Sequence, residues 1–143
     1  KMQAKLRVKS DCEDTCFYVR VSLVKEEGAY GLRDDINQIS NFSARYIPNT
    51  EVIMDFSFDE HAFVIKKGEK LRIDISSSAF PLYVRHTNNK GLFSEQTTIK
   101  KAVNSLILDI ILSIKSSFFN FIKTCNYYRF FILTFCNCWM VFK

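Results

Sequence analysis

Few residues in this sequence can attack a substrate, bind a metal or shuttle a proton, and they are scattered. Ser76, Ser77 and Ser78 form the densest run of hydroxyls. A serine nucleophile needs a histidine base, an orienting acid and a sharp turn of the Gly-x-Ser-x-Gly kind, and no such turn surrounds these three. The sequence holds only 2 histidines. His61 lies in the polar connection Asp59-Glu60-His61, and His86 follows Arg85 just before Asn88-Asn89. Both read as solvated loop histidines. Asp34 with Asp35, or Asp55 with Asp59, offers oxygens to a hard cation but lacks the spaced ligand ladder of a calcium loop, so these read as surface acids. The 5 cysteines, at positions 12, 16, 125, 136 and 138, form no metal-binding pattern. Their odd number and irregular spacing point to reduced thiols in the cytoplasm and not to a disulfide framework. The residues therefore predict no catalytic site, no cofactor and no metal.

The elements that would have to position any site are strands. Phe17, Val19, Val21 and Leu23 fall on one face of their segment while Arg20 and Ser22 fall on the other. The same period of two places Val52, Met54, Phe56 and Phe58 inward, then Leu71, Ile73 and Ile75, which is the signature of half-buried strands. Weaker alternation runs over Leu6–Val8, Phe42–Tyr46 and Leu106–Ile110, with turns expected at Lys25–Gly28 and Lys66–Glu69. No segment before Ser105 has helical periodicity. Strands with one apolar face and no helices to cover it must bury that face on another sheet, so the expected class is all-β, a sandwich or barrel.

With 48% hydrophobic and 24% charged residues, the chain has the composition of one folded domain. Its net charge of +5 is concentrated beyond Ser113, where Lys115, Lys123, Arg129 and Lys143 are the only charges. That leaves 16 basic against 15 acidic residues in the body. A basic stripe interleaved with aromatics is missing from the body, which argues against nucleic acid as a partner. Lys1–Ser10 alternates and does not run apolar, so it does not read as a signal peptide. The stretch 112–143 contains no acid, Gly or Pro. Three readings of this tail stand side by side: a non-native extension such as translation in an unintended frame, a packed helix, and a membrane anchor. Its uncharged run Phe130–Phe142 falls short of the roughly 20 residues a spanning helix needs.

The run Phe63-Val64-Ile65-Lys66-Lys67-Gly68-Glu69-Lys70-Leu71-Arg72-Ile73-Asp74-Ile75-Ser76-Ser77-Ser78-Ala79-Phe80-Pro81, followed by Arg85 and Asn88, resembles the C-terminal jelly-roll domain of Xaa-Pro dipeptidyl-peptidases and cocaine-esterase-like (CocE/NonD) serine hydrolases. Asp14-Thr15-Cys16-Phe17 resembles that family's Asp-Thr-Asp-Phe start of a strand, with Cys16 departing from the pattern. Leu32-Arg33-Asp34-Asp35-Ile36 matches a Leu-x-Asp-Gly turn segment, except that Asp35 stands where the Gly would be. The resemblance extends from about Lys5 to about Ile110. It implies a galactose-binding-like β-sandwich over 1–111, incomplete at its start, with the apolar, basic 112–143 tail appended.

By the same resemblance, the catalytic triad belongs to a separate α/β-hydrolase domain. This chain would be the non-catalytic C-terminal domain that packs on it, shapes its substrate cleft and assists oligomerisation. Arg72, Arg85 and Asn88 then become structural or interdomain residues, and the parent enzyme would cleave after a penultimate proline or hydrolyse acyl esters. The rival reading is an independent glycan- or protein-binding module, anchored to a membrane by the tail, with Tyr46, Tyr83 and Arg85 as the binding surface.

Overall fold

The structure is a computed structural model that describes residues 2–60, 62–114, 133–134 and 140–142, the last three stretches from position 108 onward as backbone only. Among the described residues eight strands follow one another: β1 (Met2–Ser10), β2 (Cys16–Lys25), β3 (Gly28–Gln38), β4 (Val52–Phe58), β5 (Lys70–Ser76), β6 (Asn104–Ile114), β7 (Leu133–Thr134) and β8 (Met140–Phe142). They form two sheets. One has the antiparallel order β4-β1-β6 and the other β3-β2-β5, and the short β8 and β7 add in parallel beside β6 and β5. This is the all-β sandwich expected from the alternation. β6 runs on to Ile114, and the rest of the 112–143 tail, with the helix considered for it, lies outside the described residues apart from β7 and β8.

The inward faces are those the period of two predicts. Phe17, Val19, Val21 and Leu23 from β2 meet Ala4, Leu6 and Val8 from β1, Met54, Phe56 and Phe58 from β4, Leu71 and Ile75 from β5, and Leu106 from β6. Burying each of the larger side chains stabilises the fold by about 1.5–3 kcal/mol relative to exposure. On the outer face of β1 and β4 the pairs Lys5–Asp55 (3.3 Å) and Arg7–Glu51 (3.9 Å) stay in solvent. Gly68, at φ +96, makes the turn before β5, and β5 ends at the first of the three serines.

Two elements differ from expectation. Phe42–Tyr46 is not a strand. Ile39–Asn41 forms a 3-10 turn, and Phe42 and Tyr46 then fold inward to plug the end of the core. Leu32–Ile36 is not a turn but the middle of β3, paired with β2 from Cys16↔Gln38 to Lys25↔Gly28 around a bulge at Val21/Ser22. Asp35 in place of Gly is therefore unstrained. Among the described residues β3 is a sheet edge, and its register places Arg33 and Asp35 on the inward side opposite Val21 and Val19. Inward charges of this kind blunt an edge against pairing with other chains, and they erase the alternation that would have announced the strand.

Candidate functional site

One end of the sandwich carries the polar chemistry. There the β1–β2 connection, residues 11–15, supports the long segment between β5 and β6, from Ser77 to Val103, whose only regular structure is a 3-10 turn at Phe93–Glu95. Asp14 is buried, and its Oδ1 accepts the backbone N–H groups of Thr15 (3.0 Å) and Ser40 (3.1 Å). These two bonds fix the connection onto the chain that follows β3. Thr15 is fully buried. Its hydroxyl donates to Asn88 Oδ1 at 2.8 Å and accepts from Asn104 Nδ2 at 3.3 Å. Asn88 sits at φ +61, a left-handed position that Asn tolerates, and its Nδ2 donates to the Lys100 carbonyl at 2.7 Å.

The histidine reading changes here. His86 is not a solvated loop residue: its side chain is 14% exposed, its Nδ1 accepts the Asn88 N–H at 3.0 Å, and its Nε2 lies 3.9 Å from Asp14 Oδ2. That separation is too long for a hydrogen bond. His61 lies outside the described residues. Asp14 and His86 thus provide an acid and an imidazole, while two of the three candidate serines bond within their own stretch of chain. Ser76 Oγ donates to Ser78 O (2.7 Å), and Ser78 Oγ accepts Phe80 N–H (3.4 Å). The nearby Cys16 thiol is buried and donates to the Ser77 carbonyl at 3.1 Å. Cys16, Tyr83 and His86 with the amides of Asn37, Gln38 and Asn41 line a shallow open depression of about 220 Å³.

The remaining candidates are accounted for by local partners. Asp34 and Asp35 are adjacent in β3 and point to opposite faces, so they cannot share a cation. Asp34 accepts the Tyr83 hydroxyl at 3.3 Å. Burial pushes the Asp35 carboxyl up, with Asp34 and Asp59 adding to the shift and its bonds from the Ile36 N–H and the Asn37 amide opposing it. Asp55 pairs with Lys5. Among the described residues no group of three or more His, Cys, Asp or Glu side chains could hold a metal. Tyr46, named above for a glycan surface, is instead buried: its hydroxyl accepts Ser10 N–H at 2.8 Å and lies 2.9 Å from Ser10 O and 3.0 Å from Thr50 O. Tyr83 is half-buried against Tyr18, with ring centroids 5.9 Å apart, while Arg85 is exposed. Arg72 bonds Asp74 two residues along β5 at 3.0 Å, and Asn88 is a structural residue.

Sequence reasoning missed the apolar surface that this network carries. Phe80, Leu82, Val84, Leu92, Phe93 and Ile99 are each between 53 and 74% exposed, and all lie in the one segment from Ser77 to Val103. The segment is not loose. Asn89 Nδ2 donates to the Thr87 and Thr98 carbonyls, Gln96 Nε2 to those of Asn89 and Gly91, and the Thr87 hydroxyl to Gln96 Oε1. Asp11 exchanges two bonds with the Val103 backbone, and Lys100 meets Glu13 at 3.4 Å. A connection this long without strands is uncommon in a compact domain and is usually functional. A run of exposed large apolar side chains marks an interaction surface. The one sequence signal was the Phe80/Leu82/Val84 alternation beyond the end of a strand.

Compared with known families, residues 1–109 match the family model described as the X-Pro dipeptidyl-peptidase C-terminal non-catalytic domain. No curated protein and no solved structure matches the chain.

Proposed function

The chain belongs to the family of the C-terminal non-catalytic domain of X-Pro dipeptidyl-peptidases, and from that premise we propose that it serves an α/β-hydrolase catalytic domain as an accessory module. It docks on that domain, walls part of the substrate cleft and assists subunit association, in a cytoplasmic enzyme that cleaves after a penultimate proline or hydrolyses acyl esters. The observation that carries this reading is the exposed apolar series Phe80, Leu82, Val84, Leu92, Phe93 and Ile99, on a segment whose 87–100 stretch is tied together by side-chain hydrogen bonds. Fixing a contact surface before binding lowers the ordering cost of association. On this reading Asp14 and His86 are structural, bonded to the backbone of Thr15, Ser40 and Asn88, and Ser76 and Ser78 bond within their own stretch of chain.

The test uses the purified chain. It is expected to turn over neither an Xaa-Pro dipeptide amide nor a short acyl ester, and to associate with a separately expressed X-Pro dipeptidyl-peptidase catalytic domain. The double variant Phe80→Ser/Leu82→Ser is expected to weaken that association about 10- to 100-fold, the loss of two interface anchors worth about 1 kcal/mol or more each. Turnover that disappears in Ser76→Ala would sink the non-catalytic reading, and strong retention on a glycan array would favour the independent binding module.

A further inference from the structure

We propose that the surface received by the Ser77–Val103 segment is an apolar patch rimmed by carboxylates on a different protein, not a second copy of this chain. This deepens the docking reading above and rests on it. The segment carries Arg85, Lys90, Lys100 and Lys101 against a single acid, Glu95. Part of that charge is used within the fold, because Lys100 meets Glu13 at 3.4 Å. Arg85 and Lys90 are exposed beside the apolar series. The ammonium of Lys90 makes its described bond to a neutral carbonyl, Ala44 O, at 3.1 Å. That contact brings exposed Arg45 and the 65%-exposed Ile47 alongside the segment. Along the chain, exposed Arg85 follows Val84, exposed Lys90 precedes Leu92, and the acid Glu95 follows Phe93, so cations outnumber acids among the exposed apolar residues.

This excess of cations decides between occupants. A two-fold contact between copies applies the same patch to itself and sets these cations against their own images, which is unfavourable once water is excluded. A head-to-tail contact that seats the segment on the outer face of β4 fares no better, because Ile53, exposed there, sits among the Lys5–Asp55 and Arg7–Glu51 pairs, whose carboxylates already have cations. A partner with carboxylates around an apolar centre satisfies both features. An anionic lipid surface shares that chemistry. It places no demand on shape, however, whereas the amides of Asn88, Asn89 and Gln96 hold this segment in one conformation.

The experiment measures association of the full chain with a separately expressed X-Pro dipeptidyl-peptidase catalytic domain by calorimetry, from about 50 to about 500 mM NaCl, where the screening length shrinks severalfold. Affinity is expected to fall about tenfold or more over that range. Arg85→Glu/Lys90→Glu is expected to lower the affinity at about 50 mM NaCl by a similar factor while Tm stays constant. Salt-independent association that Phe80→Ser/Leu82→Ser still weakens would overturn the carboxylate rim and leave the docking reading intact. Association at no salt concentration would sink the docking reading itself. Dimers of the chain alone that tighten in Arg85→Glu/Lys90→Glu, or cosedimentation with phosphatidylcholine–phosphatidylserine vesicles that the same variant abolishes, would assign the surface to a second copy or to a membrane and overturn the proposal.

Discussion

Replacing Thr15 with Val tests whether the polar network at the end of the sandwich holds the Ser77–Val103 segment in place. Valine keeps the shape of a fully buried side chain and removes only the hydroxyl. Two bonds go with it. The bond to Asn88 Oδ1, at 2.8 Å, ends on a partly exposed amide that water can resolvate, so its loss costs about 1 kcal/mol. The bond from Asn104 Nδ2, at 3.3 Å, ends on a buried amide whose Oδ1 already has no protein partner among the described residues. Stranding that donor costs about 1–3 kcal/mol. The sum is about 2–4 kcal/mol, large against the 5–15 kcal/mol of a typical domain. Urea unfolding of the full chain is expected to show a lower midpoint at unchanged m-value. Hydrogen exchange is expected to lose protection first at residues 86–101, with the strands β1, β2 and β5 losing less. A midpoint shift worth under about 0.5 kcal/mol would refute the accounting, and an even loss of protection across both sheets would show that the network holds the whole fold and not this segment.

Other perturbations follow from the same contacts. Tyr46→Phe leaves the Ser10 N–H without its partner in a fully buried setting and is expected to cost about 1–3 kcal/mol by thermal or urea unfolding. Phe56→Ala empties a fully buried position between the sheets and is expected to cost about 3–5 kcal/mol, enough to unfold much of the population at moderate denaturant. Burial pushes the Cys12 thiol up to about 11 and the Tyr18 phenol up to about 12, in both cases with nearby aspartates adding to the shift. Each folded value lies above the unfolded one, so their stabilisation is complete below about pH 9 and is lost as pH rises through 11 and 12. Stability that stays flat from pH 9 to 11 would contradict this, and alkylation of Cys12 at pH 8 is expected to be slow until the chain unfolds.

The sequence by itself determined the class of fold and the family. Alternation at Phe17–Leu23, Val52–Phe58 and Leu71–Ile75 requires an all-β sandwich or barrel, because side chains of a strand repeat every two residues and apolar ones must leave water. The Gly68–Pro81 stretch was specific because its residue types are set locally: a glycine at φ +96, a buried-face triplet, and a strand end. Where the controlling contact is remote, the sequence was silent. Thr15 reaches Asn88 across 73 positions and Asn104 across 89, and Asp14 meets His86 only because the sandwich brings the two connections together. No periodicity encodes such a pair, so His86 reads as solvated and Tyr46 as a surface residue until packing is known. β3 was hidden because an edge strand with inward charges has no apolar face to display. Only the packing of the two sheets decided that one long connection would lie across the end of the core, with its apolar side chains exposed.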